Sequence, residues 1–171
     1  MAASQVNASR GGVPKRPIPE ATVDERGITV DQQADRRAHG HPTQALCLYA
    51  LEQIVALRNE GHDVSPGSTG ENITTLDIDW REVIPGARLR LGDEVLIEIT
   101  DYASPCWKNA NWFIEGDFNR INQNLYPGES RTYAKVLQGG TIRPGDPIEV
   151  IPESAGVRVE RQQIPRLPLA T

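Results

Sequence analysis

The chain has 171 residues, of which 38% are hydrophobic and 24% charged, and its formal net charge is −5. This size and composition fit a soluble globular domain with a substantial core, and the acidic balance argues against nucleic acid held mainly through its phosphates. No apolar run approaches the length of a membrane span, and the N-terminus has no secretory signal. Two cysteines outside a CxxC motif favour a reducing compartment, so we expect a cytoplasmic protein.

The N-terminal quarter of the chain is predicted to be mostly loop. Residues 1–10 are small and polar, so we expect them to be disordered, and we assign one domain to residues 11–171. The Gly- and Pro-rich segment GGVPKRPIPEATV, with Lys15 in its middle, is expected to lead into a short strand. A second short strand is predicted in RGITV, before a polar loop.

The clearest helix signal lies in TQALCLYALEQIVALRNEG. Five residues recur there at helical spacing on one apolar face: Cys47, Ala50, Leu51, Ile54 and Leu57. Thr43 is expected to cap the start of this helix and Gly61 to end it. Because Cys47 would lie on the apolar face, we interpret it as a buried packing thiol without chemistry.

The second half of the chain is predicted to be a series of short strands. The segments ARLRLG, EVLIEITDY, TYAKVLQ and DPIEVIP are separated by turn signals at IPGA, QGG and RPGD. A second helical stretch, WFIEGDFNRINQNL, interrupts them, with Gly116 as its weak point. Several short strands at this spacing predict a barrel or a sandwich.

The first candidate for chemistry is Cys106, in the segment YASPCWKNANW. The preceding Pro105 holds the chain extended or turned, and the predicted strand VLIEIT would deliver this cysteine to its end. A cysteine there is suited to be a nucleophile, a persulfide carrier or a soft metal ligand, and a buried structural thiol is the alternative. The nearby Trp107 and Trp112 would either wall a pocket or pack into the core.

The second candidate is the loop DRRAHGH, which contains Arg36, His39 and His41. Arginine forks match phosphate or carboxylate oxygens, so the loop suits an anion. The two histidines are also possible zinc ligands, but no second ligand pair stands at a recognised spacing. A solvated polar loop is the alternative interpretation.

The third candidate is the loop SPGSTGEN, whose backbone amides could form an anion-binding nest. It is not a Walker loop, because no Lys-Ser or Lys-Thr pair follows the glycines. It is not a dinucleotide fingerprint either, because a strand and not a helix is predicted after it. A plain turn is the alternative.

Taken in order, these segments resemble the MOSC domain family, named after the C-terminal domain of molybdenum-cofactor sulfurases. The resemblance is carried by GGVPK, DRRAHGH, ALCLYALE, PGSTGENIT, LRLGDEVLIEITDYASPC and YAKVLQGGTIRPGD, and it runs over about residues 11–150. It is closest to small stand-alone bacterial members that detoxify N-hydroxylated bases. The resemblance implies a mainly β fold, a closed and mostly antiparallel barrel similar to that of pyruvate kinase, with a few peripheral helices.

The resemblance also implies an activity for Cys106. In reductases of N-hydroxylated compounds such as hydroxylaminopurines, the matching cysteine ligates molybdenum in the pterin cofactor. In other members the cysteine carries a persulfide, passed on from a pyridoxal-phosphate-dependent cysteine desulfurase. The expected partners are therefore a small N-hydroxylated substrate with a separate electron-donor reductase, or alternatively a desulfurase, and neither nucleic acid nor a membrane.

Further residues match segments that line the molybdenum cofactor pocket of this family. Lys15 matches a basic position for the pterin phosphate, and Asn72 lies at the metal-facing end. The complete set expected to bind the cofactor is Lys15, Arg36, His39, His41, Gly67, Ser68, Thr69, Gly70, Glu71, Asn72 and Arg131. The chain departs from the family at His41, where a glycine is frequent, and at Thr69, where an aromatic residue is frequent, so the substrate can differ too.

Overall fold

The computed structural model describes residues 1–31 and 41–152, and this part of the chain consists mainly of strands. Its strands are β1 (Ala2–Ala8), β2 (Arg16–Pro17), β3 (Ala21–Asp24), β4 (Gly27–Ile28), β5 (Leu46–Ala50), β6 (Ile73–Leu76), β7 (Arg88–Leu91), β8 (Val95–Tyr102), β9 (Thr132–Gln138), β10 (Gly140–Ile142) and β11 (Ile148–Ile151). Its α-helix is α1 (Leu51–Asn59), and its 3-10 helices are Pro42–Gln44, Trp80–Glu82, Trp107–Trp112, Ile114–Gly116 and Phe118–Ile121. The mainly β prediction is confirmed.

The strands form two sheets. The larger has the order β11-β7-β8-β9-β5-β6-β1-β2, and the smaller has the order β10-β3-β4. Strands β5 and β6 run parallel, and the other ladders of the described residues are antiparallel. Two hydrogen bonds, from Ala3 N to Asp146 O (2.9 Å) and from Gly145 N to Ala3 O (2.8 Å), join β1 to the turn before β11. Closure into a barrel stays a prediction.

The predicted strands of the second half are confirmed at β7, β8, β9 and β11. In β8, Val95, Ile97 and Ile99 are buried while the residues between them are partly exposed, as expected for a strand with one face on the core. This strand runs directly into the segment that carries Cys106. No helix within the described ranges is long and apolar enough to cross a membrane.

The prediction that residues 1–10 are disordered is wrong, because Ala2–Ala8 forms strand β1 between β2 and β6. Ala3, Val6 and Asn7 are fully buried there. Small side chains allow this strand to pack inside the sheet, and the same small, polar composition made it look like a tail. Its longer ladder is with β6, whose residues are more than sixty positions away and therefore lie outside any local pattern.

The predicted long helix is also wrong in its first half. Leu46–Ala50 is strand β5, and the helix α1 begins only at Leu51. All five residues of β5 are buried, because the strand lies between β6 and β9. A fully buried strand has a continuous apolar run that cannot be distinguished from one helix turn by spacing alone. Gly61 does follow the end of α1, with a positive φ of 99°, whereas Thr43 lies in a separate 3-10 helix.

The second predicted helix is replaced by short 3-10 helices that break at Glu115 and Gly116, both with positive φ. Arg120, in the last of them, is paired with Glu60 at 2.6 Å and with Glu129 at 2.7 Å. These ion pairs connect the irregular segment to the end of α1 and to the loop before β9. The segment therefore covers the sheet without regular helix packing.

Candidate functional site

A pocket opens where the loop after β1, the loop before β6 and the end of β8 meet. Its empty volume is about 790 Å³ including the open mouth. Both cysteines line it, together with residues from each of the three segments, such as Lys15 and Asn72, and with Arg131, which directly precedes β9. The sequence prediction that the end of strand β8 forms a site is consistent with this arrangement.

Cys106 lies in the short extended segment between β8 and the 3-10 helix Trp107–Trp112. Its thiol is partly exposed, and its carbonyl oxygen accepts a hydrogen bond from Asn109 N at 2.9 Å. The backbone before it is anchored to Arg131 in two places: Ala103 N donates to Arg131 O at 2.8 Å, and Arg131 Nη2 donates to Ser104 O at 3.1 Å. The thiol is therefore accessible but held on a fixed backbone.

Arg131 is the main buried cation of the pocket, with 5% of its surface exposed. Its Nη1 donates to the carbonyl oxygen of Thr69, so the guanidinium connects the Cys106 segment to the loop before β6. Asn109 Nδ2 lies 3.5 Å from the same Thr69 oxygen. Two buried atoms, Arg131 Nε and Asn109 Oδ1, have no hydrogen-bond partner among the described residues.

The predicted nest loop is internally bonded and does not offer its amides to a ligand. The N–H groups of Gly67, Ser68 and Gly70 donate to Glu71 Oε1 (2.5 Å), Ser65 O (2.9 Å) and Gly67 O (3.2 Å). The alternative interpretation of a plain turn is therefore the one that the contacts favour. Thr69, Gly70 and Asn72 line the pocket, whereas Gly67, Ser68 and Glu71 stand behind its wall.

Glu71 holds this loop in shape from inside. Its carboxylate is fully buried and also accepts bonds from the hydroxyls of Thr69 (2.9 Å) and Thr74 (3.3 Å). Burial raises the pKa of Glu71, and the bonds from Gly67 and Thr69 oppose the rise. Glu71 therefore has a structural role: it supports the loop from behind the pocket-lining residues that a ligand would touch.

Lys15 lies at the pocket wall in an ion pair with Asp31. Asp31 also accepts a hydrogen bond from Asn72 Nδ2 at 2.8 Å and one from Ser9 N at 2.8 Å. Asn72 in turn accepts from Cys47 N through Oδ1 at 3.1 Å. Sequence reasoning missed Asp31, because nothing local connects it to a lysine sixteen residues earlier.

Two further pocket residues were not predicted from the sequence. Cys47, on β5, is buried as expected but lines the same pocket as Cys106; burial raises its pKa, and the charge of Arg131 opposes this. Tyr133, on β9, stands directly opposite Cys47 in the ladder. Arg131 and Tyr133 are two residues apart, the spacing that places strand side chains on one face, and this was the available signal.

The remaining predicted site residues do not all come together. Arg36 and His39 fall on residues outside the described ranges. His41 is exposed, accepts a bond from Thr43 N at 3.4 Å through Nδ1, and is not among the pocket-lining residues. In residues 1–31 and 41–152 no three His, Cys, Asp or Glu side chains form a group that could hold a metal ion by themselves.

The tryptophans beside Cys106 have different environments. Trp112 is partly buried and packs against the core, which agrees with the packing interpretation. Trp107 fits neither interpretation, since it is 72% exposed and does not line the pocket, although its neighbours Cys106 and Lys108 do.

Comparison with known proteins gives a family and several relatives. The family model of the MOSC domain matches residues 35–149. The chain is 30% identical over 146 residues to Protein YiiM of Escherichia coli strain K12, covering 82% of this chain but only 63% of that protein. It is 28% identical over 131 residues to a Gibberella moniliformis protein named "Reductase", covering 73% of this chain and 22% of that protein.

The fold is also similar to a solved structure. The crystal structure of YiiM from Geobacillus stearothermophilus matches with a TM-score of 0.69 at 23% identity, over 91% of this chain and 77% of that chain. At this identity the likeness concerns the fold. The chain spans less than two thirds of the length of the Escherichia coli relative.

Proposed function

Because the chain belongs to the MOSC domain family, we propose that it is a molybdenum-cofactor-dependent oxidoreductase that reduces N-hydroxylated compounds, with Cys106 as the metal ligand. The observation that carries the proposal is the position of Cys106: its thiol is partly exposed in a pocket and its backbone is anchored by buried Arg131. The relative named "Reductase" supports the reaction class. Hydroxylaminopurines are the substrates we would test first.

The residues at the metal end of the pocket fit such a cofactor. Its molybdenum brings its own dithiolene sulfurs, so a single soft protein ligand is enough, and Cys106 can be that ligand. Arg131 supplies a buried positive charge beside this end, and the partnerless Asn109 Oδ1 supplies an unused acceptor in its wall.

The residues expected to bind the cofactor's phosphate fit it less well than the residues at the metal end. Lys15 is the predicted phosphate ligand, but its ammonium group is already paired with Asp31. For Lys15 to bind a phosphate, the anion would have to share the ammonium group with Asp31 or replace that carboxylate. Arg36 and His39, which the resemblance expects in the same pocket, lie outside the described residues.

When bound, the cofactor would supply the two-electron chemistry. The chain's own residues would bind and orient it: Cys106 would hold the metal, and Arg131 bonds to both the Cys106 segment and the Thr69 loop. The electrons would come from a separate reductase protein.

The test is the metal content of the protein purified from a host that makes the cofactor. We expect molybdenum near one atom per chain in the wild type, and a large loss in Cys106→Ser. Cys47→Ala is the matched control, because it removes the other pocket thiol from a buried strand position. Wild-type molybdenum content in Cys106→Ser, together with wild-type reductase activity, would exclude Cys106 as a required ligand.

A second candidate is a persulfide carrier on Cys106. It is favoured by one observation, that Cys106 is partly exposed whereas Cys47 is buried, so Cys106 is the thiol that a donor protein could reach. Incubation with a cysteine desulfurase and cysteine would then add one sulfur atom to Cys106, seen by mass spectrometry. That adduct, with no molybdenum in the wild type, would replace our first proposal with this one.

A further inference from the structure

Tyr133 has a hydroxyl group with no assigned task in the pocket. It lies on β9, half-buried, opposite Cys47 and two residues after Arg131. Within residues 1–31 and 41–152 this hydroxyl makes no hydrogen bond, although the tyrosine is one of the pocket-lining residues. A rigid aromatic side chain on a strand therefore presents a donor that no described residue uses.

Three other polar side chains that line the pocket, Lys15, Asn72 and Arg131, already bond to groups of the protein. Lys15 Nζ is paired with Asp31, and Asn72 Nδ2 donates to the same carboxylate. The two terminal nitrogens of Arg131 donate hydrogen bonds to the carbonyl oxygens of Thr69 and Ser104. These groups shape the pocket, and a neutral ligand would have to displace an existing bond to use them.

Tyr133 also stands close to the thiols. Burial raises the pKa of Tyr133 to about 12; the charges of Cys47 and Cys106 add to the rise and Arg131 opposes it. The phenol lines the same pocket as Cys106. It can donate a hydrogen bond to an oxygen held near Cys106.

We propose that Tyr133 is a specificity-determining residue that donates a hydrogen bond to the N–O oxygen of an N-hydroxylated substrate. The inference rests on the proposed function, which places the reacting N–O bond next to Cys106. The product amine has lost this oxygen and would leave the phenol unpaired. A site built to hydrogen-bond a substrate hydroxyl binds the analogue that lacks it less tightly. Tyr133 would therefore favour binding of the substrate over binding of the product.

The experiment compares binding of two ligands without turnover. The oxidised, cofactor-loaded protein is titrated calorimetrically, with no electron donor, against 6-hydroxylaminopurine and against adenine, which lacks only the hydroxyl. We expect the wild type to prefer the N-hydroxylated base by about tenfold, the value of one net hydrogen bond. Tyr133→Phe should bind both bases about equally and lose about tenfold in kcat/KM.

Tyr102→Phe is the matched control, because Tyr102 is a partly exposed tyrosine on β8 that does not line the pocket. It should keep the wild-type preference. If Tyr133→Phe keeps the preference while its molybdenum content is normal, the inference is overturned and the proposed function stands. If the wild type contains no molybdenum or binds neither base, both fail together.

Discussion

The glycine at position 67 allows a direct test of how the pocket wall is built. Gly67 has φ +87°, and a Cβ atom there would lie 2.3 Å from the carbonyl oxygen of Lys15. Lys15 N in turn donates to Gly67 O at 2.9 Å, so the two backbones are in direct contact. Gly67→Ala must therefore push the Lys15 segment away from the loop.

A second glycine separates the cost of the backbone strain from the cost of the displaced contact. Gly86 has a similar φ of +96°, but a Cβ atom there meets nothing within 4 Å. Gly86→Ala should cost only the left-handed backbone strain, about 1–2 kcal/mol. Gly67→Ala carries the same strain and a displaced backbone contact, which adds about 1–3 kcal/mol by analogy with overpacked sites.

Urea unfolding of both variants measures the two costs. The free energy of unfolding is taken from the midpoint and the slope, and the slopes should match because both variants expose the same surface. We expect Gly67→Ala to be the less stable by about 1–3 kcal/mol. Equal losses in the two variants would show that the Lys15 backbone moves freely, and the close packing argument would be wrong.

Two further predictions concern Glu71 and Trp107. Burial raises the pKa of Glu71 above its ordinary value of 4.5. Between 4.5 and the raised pKa, the native state holds a proton that the unfolded state has lost. The free energy of unfolding therefore falls as pH rises through this range. Glu71→Gln should remove this part of the decline in denaturant titrations over that range, and an unchanged slope would contradict a raised pKa. Trp107→Ala should change the free energy of unfolding by less than about 0.5 kcal/mol, because the side chain is 72% exposed, and a larger loss in a thermal melt would mean that it packs after all.

The sequence by itself was enough to predict four strands of the second half, β7, β8, β9 and β11, although it missed the short β10. In β8 and its neighbours, apolar and polar residues alternate and glycines mark the turns, so short-range physics specifies the element. The same reasoning placed Cys106 at the end of a strand, because a strand carries its last residues to the edge of the sheet. For Lys15, Asn72 and Arg131, the order of motifs along the chain predicted a common pocket, and the structure brings these residues together.

Only the tertiary structure decided which buried segments are strands and which groups share the pocket. The local pattern of β1 favours a disordered tail, and that of β5 favours a helix. Main-chain hydrogen bonds to strands that are distant in sequence outweigh these local preferences and make both segments strands. The pairing of Asp31 with Lys15, and the entry of Cys47 and Tyr133 into the pocket, depend on the same sheet. Contacts of this kind form between atoms that no local window of the chain contains, which is why folding was needed to bring the two thiols and the Tyr133 phenol together.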